Sequence, residues 1–179
     1  MGVPVETSAG RLAAGGVTGV VTVQFVRPNN TTLYTANDIV GSVVNSAKPF
    51  RFSNCARFPG GSGIIQSALM FDSVDAATNP NFDLVLFDTP DITVAADNAA
   101  GTVTDTEAVN CVAVITFDGT NAANVSTVGA NIIIGATAIG QAFKCAEGMQ
   151  DLYGIVIDRG AYTPAALEIF TFKLSILQD

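Results

Sequence analysis

The sequence predicts an all-β protein: a single-domain antiparallel β-sandwich, jelly-roll-like, preceded by a short N-terminal arm. Three observations predict it. Side chains alternate between apolar and polar in steps of two through much of the chain, the pattern of half-buried strands. Nine or ten such runs are separated by Gly, Pro, Asn and Asp turns, with no convincing helical period between them. Of the 179 residues 49% are hydrophobic, 13% are charged and 17 are glycine. That charge share is about half the usual one, which suits a surface shared with partners.

Residues 1–16 contain Pro4 and the pair Gly15-Gly16. They carry too little apolar surface to offset their ordering entropy and are assigned to the arm. Residues 17–179 form the sandwich domain. "VTGVVTVQFVR" puts Val17, Val21, Val23 and Phe25 on one side and Thr18, Thr22 and Gln24 on the other. "PNNTT" and "YTAND" are turns. "PFRFSNCARFPGG" is predicted as a strand with Phe50, Phe52, Ala56 and Phe58 on one face, ended by Pro59-Gly60-Gly61. "SGIIQSALMFD" is the next strand, running into the turn-rich "SVDAATNPN".

Three later runs are apolar on both faces. "FDLVLFD" (Phe82–Asp88) sets Phe82, Leu84 and Leu86 against Val85 and Phe87. "CVAVITF" (Cys111–Phe117) sets Ala113, Ile115 and Phe117 against Val112 and Val114. "LYGIVID" (Leu152–Asp158) sets Leu152 and Val156 against Tyr153, Ile155 and Ile157. One face of each belongs to the core, so the other needs a second cover. Fully burying one such side chain stabilises by roughly 1.5–3 kcal/mol, so five or six of them support a sizeable interface. The cover is either the chain's own long connections, Thr89–Asn110 and Asp118–Ala130, or another subunit. The low charge share favours the subunit. Val85, Phe87, Val112, Val114, Tyr153, Ile155 and Ile157 are therefore the candidate interface residues. "NIIIG" and "QAFKC" add short strands. The closing "LEIFTFKLSIL" gathers Phe170, Phe172, Leu174 and Ile176 on one side, and so apolar a strand belongs inside the sandwich or in a neighbour. "AALEIF" has helix-compatible residues, but the β-branched and aromatic run after Glu168 favours extension.

Sixteen acids against eight bases leave a net charge of −8, and no two Lys or Arg residues are adjacent. That opposes binding to nucleic acid or to anionic membranes. Histidine is absent, which removes Ser-His-Asp, Cys-His and histidine-metal chemistry. Asp72/Asp75 and Asp88/Asp91 are the nearest carboxylate pairs, and both sit at strand ends where Asp bonds the turn backbone. "FPGGSG" lacks the GK[ST] ending of a phosphate loop. Cys55, Cys111 and Cys145 read as buried thiols of a reducing compartment, with a disulfide between two of them as the alternative. The expectation is no catalytic residue, no cofactor, no metal and no enzyme. "MGVPVETSAG" lacks the basic and apolar regions of a signal peptide, and no stretch reaches the roughly 18 apolar residues of a membrane span.

"VTVQFVRPNNTTLYTANDIVG", "FPGGSGIIQSALM" and "YGIVIDRGAYTPAALEIFTFKLSILQD" together resemble small proteins encoded among the structural genes of tailed bacteriophages and prophages. The likeness is clearest over Val21–Gly41 and Tyr153–Asp179. It is carried by turn signatures: Pro28 with Thr31 and Thr32, then Arg159-Gly160 and Pro164. The resemblance implies a capsid cement (decoration) protein, jelly-roll in fold and often a homotrimer. Its partners would be itself and the major capsid protein, with no direct contact to nucleic acid or membrane. It would sit on the outer capsid surface of the virion, assembled in the host cytoplasm. The alternative is a tail or baseplate component that binds a host glycan. That role calls for exposed aromatics, and the chain offers only Tyr34, Tyr153 and Tyr162 as tyrosines and no tryptophan.

Overall fold

The computed structural model describes residues 16–43, 47–74, 78–124, 132–136 and 139–179. The predicted arm, residues 1–16, lies outside them except for Gly16. Ten strands follow in order: β1 (Val17–Val26), β2 (Phe50–Phe52), β3 (Ser62–Asp72), β4 (Phe82–Phe87), β5 (Cys111–Phe117), β6 (Ala123–Asn124), β7 (Ile132–Ala136), β8 (Gln141–Lys144), β9 (Leu152–Asp158) and β10 (Ile169–Gln178). One sheet runs β1-β10-β3-β7-β6, with β8 also paired to β3; the other runs β2-β9-β4-β5. Every pairing is antiparallel.

The pairing is nested. β1 pairs with β10, β2 with β9, β3 with β7 and β8, and β4 with β5. The chain is thus one long hairpin, folded back between β4 and β5 and rolled into two facing sheets. That is the jelly roll, the predicted fold. It also explains the apolar closing strand: β10 lies between β1 and β3, with Phe170, Phe172, Leu174 and Ile176 fully buried.

Aromatic rings join the sheets across the core. Phe25 stacks on Phe50 with centroids 4.2 Å apart, Phe172 meets Phe117 edge-on at 5.4 Å, and Phe170 meets Phe82 at 5.2 Å. Such offset and edge contacts add to burial. Gly154, in the middle of β9, marks a tight point of the core: a Cβ there would lie 2.8 Å from Phe52 Cε2 and 2.9 Å from Leu84 Cδ1.

Two expectations are corrected. The strand predicted over "PFRFSNCARFPGG" stops at Phe52. Asn54 takes a left-handed conformation (φ 59°), and its backbone N–H donates to the Asp151 carboxylate at 2.8 Å. Cys55 and Ala56 still reach the core, but Phe58, placed with the buried face, is 54% exposed. The other correction is a bulge between β4 and β5, where the register shifts after Leu86↔Ala113 to Phe87↔Cys111. Val112 is the extra residue, and it packs against the main core instead of outward beside Val114. A bulge is invisible to strict alternation. The long connection after β4 also contains one short helix, α1 (Asp105–Ala108), started by a capping box between Thr104 and Glu107.

Candidate functional site

The two outer faces of the sandwich are treated differently by the chain. On the β2-β9-β4-β5 sheet, Phe87 and Ile155 point away from the core yet are each only 1% exposed. They form a second apolar cluster with Ile39, Ile92 and Val94, with Val85, Val103, Cys111 and Ile157 packed at its margin. Ile92, Val94 and Val103 belong to the connection after β4, and Ile39 to the segment before β2. The cover is the chain's own. The low charge share had favoured a subunit in that place, and the loops fill it instead.

A buried ion pair pins this cover. Arg27, at the end of β1, is fully buried, and its Nη2 lies 3.2 Å from Asp97 Oδ2. Arg27 Nε donates to Tyr34 Oη at 2.5 Å, and the Tyr34 hydroxyl donates in turn to Asp97. The Asp97 carboxylate also accepts from Gly41 N at 2.8 Å. Burial and the bond to Asp97 hold the Tyr34 hydroxyl well above its usual range, so it stays a donor. Backbone bonds complete the fastening: Ile39 N to Ala99 O and Asn98 N to Ile39 O, both 2.9 Å.

The seven predicted interface positions therefore separate. Phe87, Ile155 and Tyr153 are buried within the protomer, Tyr153 on the same outer face. Val85 and Ile157 are half-buried at the edge of the covered cluster. Val112 is half-buried in the bulge. Val114 is 55% exposed, opposite Val85.

The β1-β10-β3-β7-β6 sheet has no comparable cover among the described residues. Its outer face runs through Val20, Thr22, Thr171, Lys173, Leu69, Phe71 and Ile133, with Val20, Ile64 and Leu69 exposed. The charged side chains within its strands on this side, Lys144 and Lys173, are both positive. No acid stands among them, although the chain carries net charge −8. Lys173 lies over the Phe71 ring at 4.8 Å.

Several acids are buried. Asp72 and Glu168 are both 1% exposed. Asp72 Oδ1 accepts from Val74 N at 2.9 Å, and the Tyr162 hydroxyl donates to Glu168 Oε1 at 2.5 Å. Burial, and then the neighbouring Glu168 carboxyl, push Asp72 up to about 8. Asp158, fully buried with Asp38 nearby, is pushed up to about 6, chiefly by burial. Asp72 has Glu168, far along the chain, as a neighbouring carboxyl; of the sequence pair Asp72/Asp75, Asp75 lies outside the described residues. Asp88 and Asp91 sit in a turn where Asp91 N donates to Thr89 Oγ1 at 3.2 Å. The three cysteines are free thiols, Cys55 and Cys145 buried and Cys111 half-buried. Burial pushes Cys55 up to about 12 and Cys145 up to about 11. Among the described residues no three His, Cys, Asp or Glu side chains stand close enough to hold a metal ion.

No protein-family model matches the chain, and no curated protein matches it. Among solved structures it is similar to the capsid of Ralstonia phage GP4, at 18% identity over 92% of this chain and 86% of that one, with a TM-score of 0.41. It is similar to the cyanophage Pam1 capsid asymmetric unit at 11% identity, over 92% and 87%, with a TM-score of 0.37. The tomato aspermy virus structure is similar at 12% identity, over 97% and 95%, with a TM-score of 0.31. The nested order of its own strands assigns this chain's fold: it is an antiparallel jelly-roll β-sandwich.

Proposed function

We propose that this chain is a non-enzymatic structural protein of a tailed-phage virion, a cement or decoration protein that binds the assembled coat. The observation that carries this reading is the open outer face of the six-stranded sheet. It is broad and partly apolar, and among the described residues its strands carry no outward acid, Asp179 standing just beyond β10 at its rim, on an acidic protein. A surface meant only for solvent would share the chain's negative charge, whereas one meant for a partner avoids it. The turn signatures around Pro28 and Arg159-Gly160 supply the phage context. In this reading the open face seats on the major capsid protein at the outer shell. Val114, with the half-buried Val85 opposite it and Ile157 two strands away on the same face, forms the contact between copies in a homo-oligomer, a trimer in the form the sequence resemblance implies. Binding only the assembled lattice stabilises it by mass action, and several linked copies add avidity.

The glycan-binding alternative needs exposed aromatic platforms, and with Tyr34, Tyr153 and Tyr162 all buried, Phe58 is the single largely exposed aromatic ring among the described residues. The test is co-sedimentation of the purified chain with empty, mature capsids, unassembled coat subunits and host polysaccharide. The expected result is binding to capsids alone, weakened at least tenfold by Leu69→Glu or Lys173→Glu. Capsid binding that ignores both substitutions, or binding to polysaccharide alone, overturns the reading.

A further inference from the structure

β1 forms one edge of the six-stranded sheet, and among the described residues no strand pairs with its outer side. Arg27 N donates inward to Glu168 O, while Val26 O accepts from Val43 N on the opposite side. In an antiparallel ladder the inward and outward residues alternate. The N–H and C=O groups of Thr18, Val20, Thr22 and Gln24 therefore point away from β10. Among the described residues, no backbone bond outside the strand ladders reaches these four.

Edges this long are usually protected by charge, proline or brevity. Among the other edge strands β2 has three residues, β6 two, β8 four and β5 seven. β1 has ten, "VTGVVTVQFV", with no charged residue and no proline. A groove of about 510 Å³ lies along its second half, between Thr22 and Gln24 on one side and Ser42, Phe50 and Arg51 on the other. Among the described residues, the edge thus has backbone groups with no backbone partner and space beside them.

We propose that β1 pairs antiparallel with β1 of a second copy about a two-fold axis at Val21, joining two six-stranded sheets into one. Outward residues pair only with outward residues. This register matches Thr18 with Gln24 of the second copy and Val20 with its Thr22, and the reverse, so all four open positions bond at once. They exchange about eight backbone hydrogen bonds. The charge distribution selects a second copy as the occupant. Each copy carries net charge −8, but no charged side chain lies on β1, so like charges do not meet across the contact. The same surface serves both sides and the contact closes on itself. One strand pair is small beside the roughly 1,200 Å² of a stable dimer, so the association depends on concentration and strengthens where copies are crowded on a shell. This pairing is independent of the coat-binding face and of Val114.

The experiment is amide hydrogen exchange on the full chain across a concentration series, with mass followed by light scattering. The expected result is protection of the Val20 and Thr22 amides rising at least tenfold as the mass doubles. Val20→Pro removes only an outward donor, which an edge strand tolerates; it and Val20→Lys should each abolish both changes. Val21→Cys, oxidised, should give a covalent dimer, because a non-hydrogen-bonded pair brings Cα atoms to about 4.5 Å. Val23→Cys, opposite Gly19 of the second copy, should not. Val114→Lys should leave the β1 protection unchanged. Free exchange at every concentration overturns the proposal. So does full protection in a monomer, which would put another part of the same chain on the edge. Cross-linking through Val23→Cys as readily as Val21→Cys overturns it too.

Discussion

Asp72 and Glu168 are neighbouring buried carboxyls inside the sandwich, one at the end of β3 and the other just before β10. Asp72 Oδ2 and Glu168 Oε2 are buried, and neither has a hydrogen-bond partner among the described residues. A proton held between the two groups satisfies both atoms at once.

This proton makes stability depend on pH. Asp72 is pushed up to about 8, against roughly 3.9 in an unfolded chain. Between those values the folded state keeps a proton that the unfolded state has lost, so stability falls as pH rises. The slope from this group is roughly 1 kcal/mol per pH unit. Asp158 adds in the same direction, over a window that closes at about 6. Denaturant unfolding from pH 5 to 8 should show this decline, and Asp72→Asn, which can donate to Glu168, should flatten its upper part. An equal slope in the variant would remove Asp72 as the source.

The Arg27–Asp97 pair should be costly to break, because a lone buried charge remains. Asp97→Ala is expected to lower stability by roughly 3–5 kcal/mol. The same variant should free the Ile39 and Asn98 amides to exchange, since their bonds hold the covering segments together. Loss of stability without local exchange would mean that Asp97 does not fasten the cover.

Thiol labelling gives a second measure of that cover. Cys55 and Cys145 sit in the main core, and burial pushes their thiols up, so they should react only on global unfolding. Cys111 is half-buried at the margin of the covered cluster and should react first. Asp97→Ala should accelerate Cys111 under conditions where Cys55 stays silent.

Gly154→Ala should destabilise by about 1–3 kcal/mol through overpacking, as its Cβ would press on Phe52 and Leu84 from opposite sheet neighbours. Val114→Ser, on an open surface, should move stability by about 0.5 kcal/mol or less. Chemical denaturation of the two variants provides the comparison, and equal effects would contradict the packing described.

The sequence by itself determined the strands, except β6 inside the stretch read as a connection, and for nearly all of them which side faces the core. Phe82, Leu84 and Leu86, or Phe170, Phe172 and Leu174, declare their side because a two-residue period is local and depends on nothing distant. Where the chain kinks locally the pattern misleads, as at Asn54 and in the bulge at Val112. Only the tertiary structure decided which second face would be covered from within. Phe87 and Ile155 look as available as Val114 in the sequence. They are closed off because Arg27 and Asp97, distant along the chain, meet and fasten a loop over them. The Asp72–Glu168 proton and the open β1 edge arise in the same way. Each depends on which segments the rolled hairpin brings together, and the two-residue alternation within a strand holds no record of that.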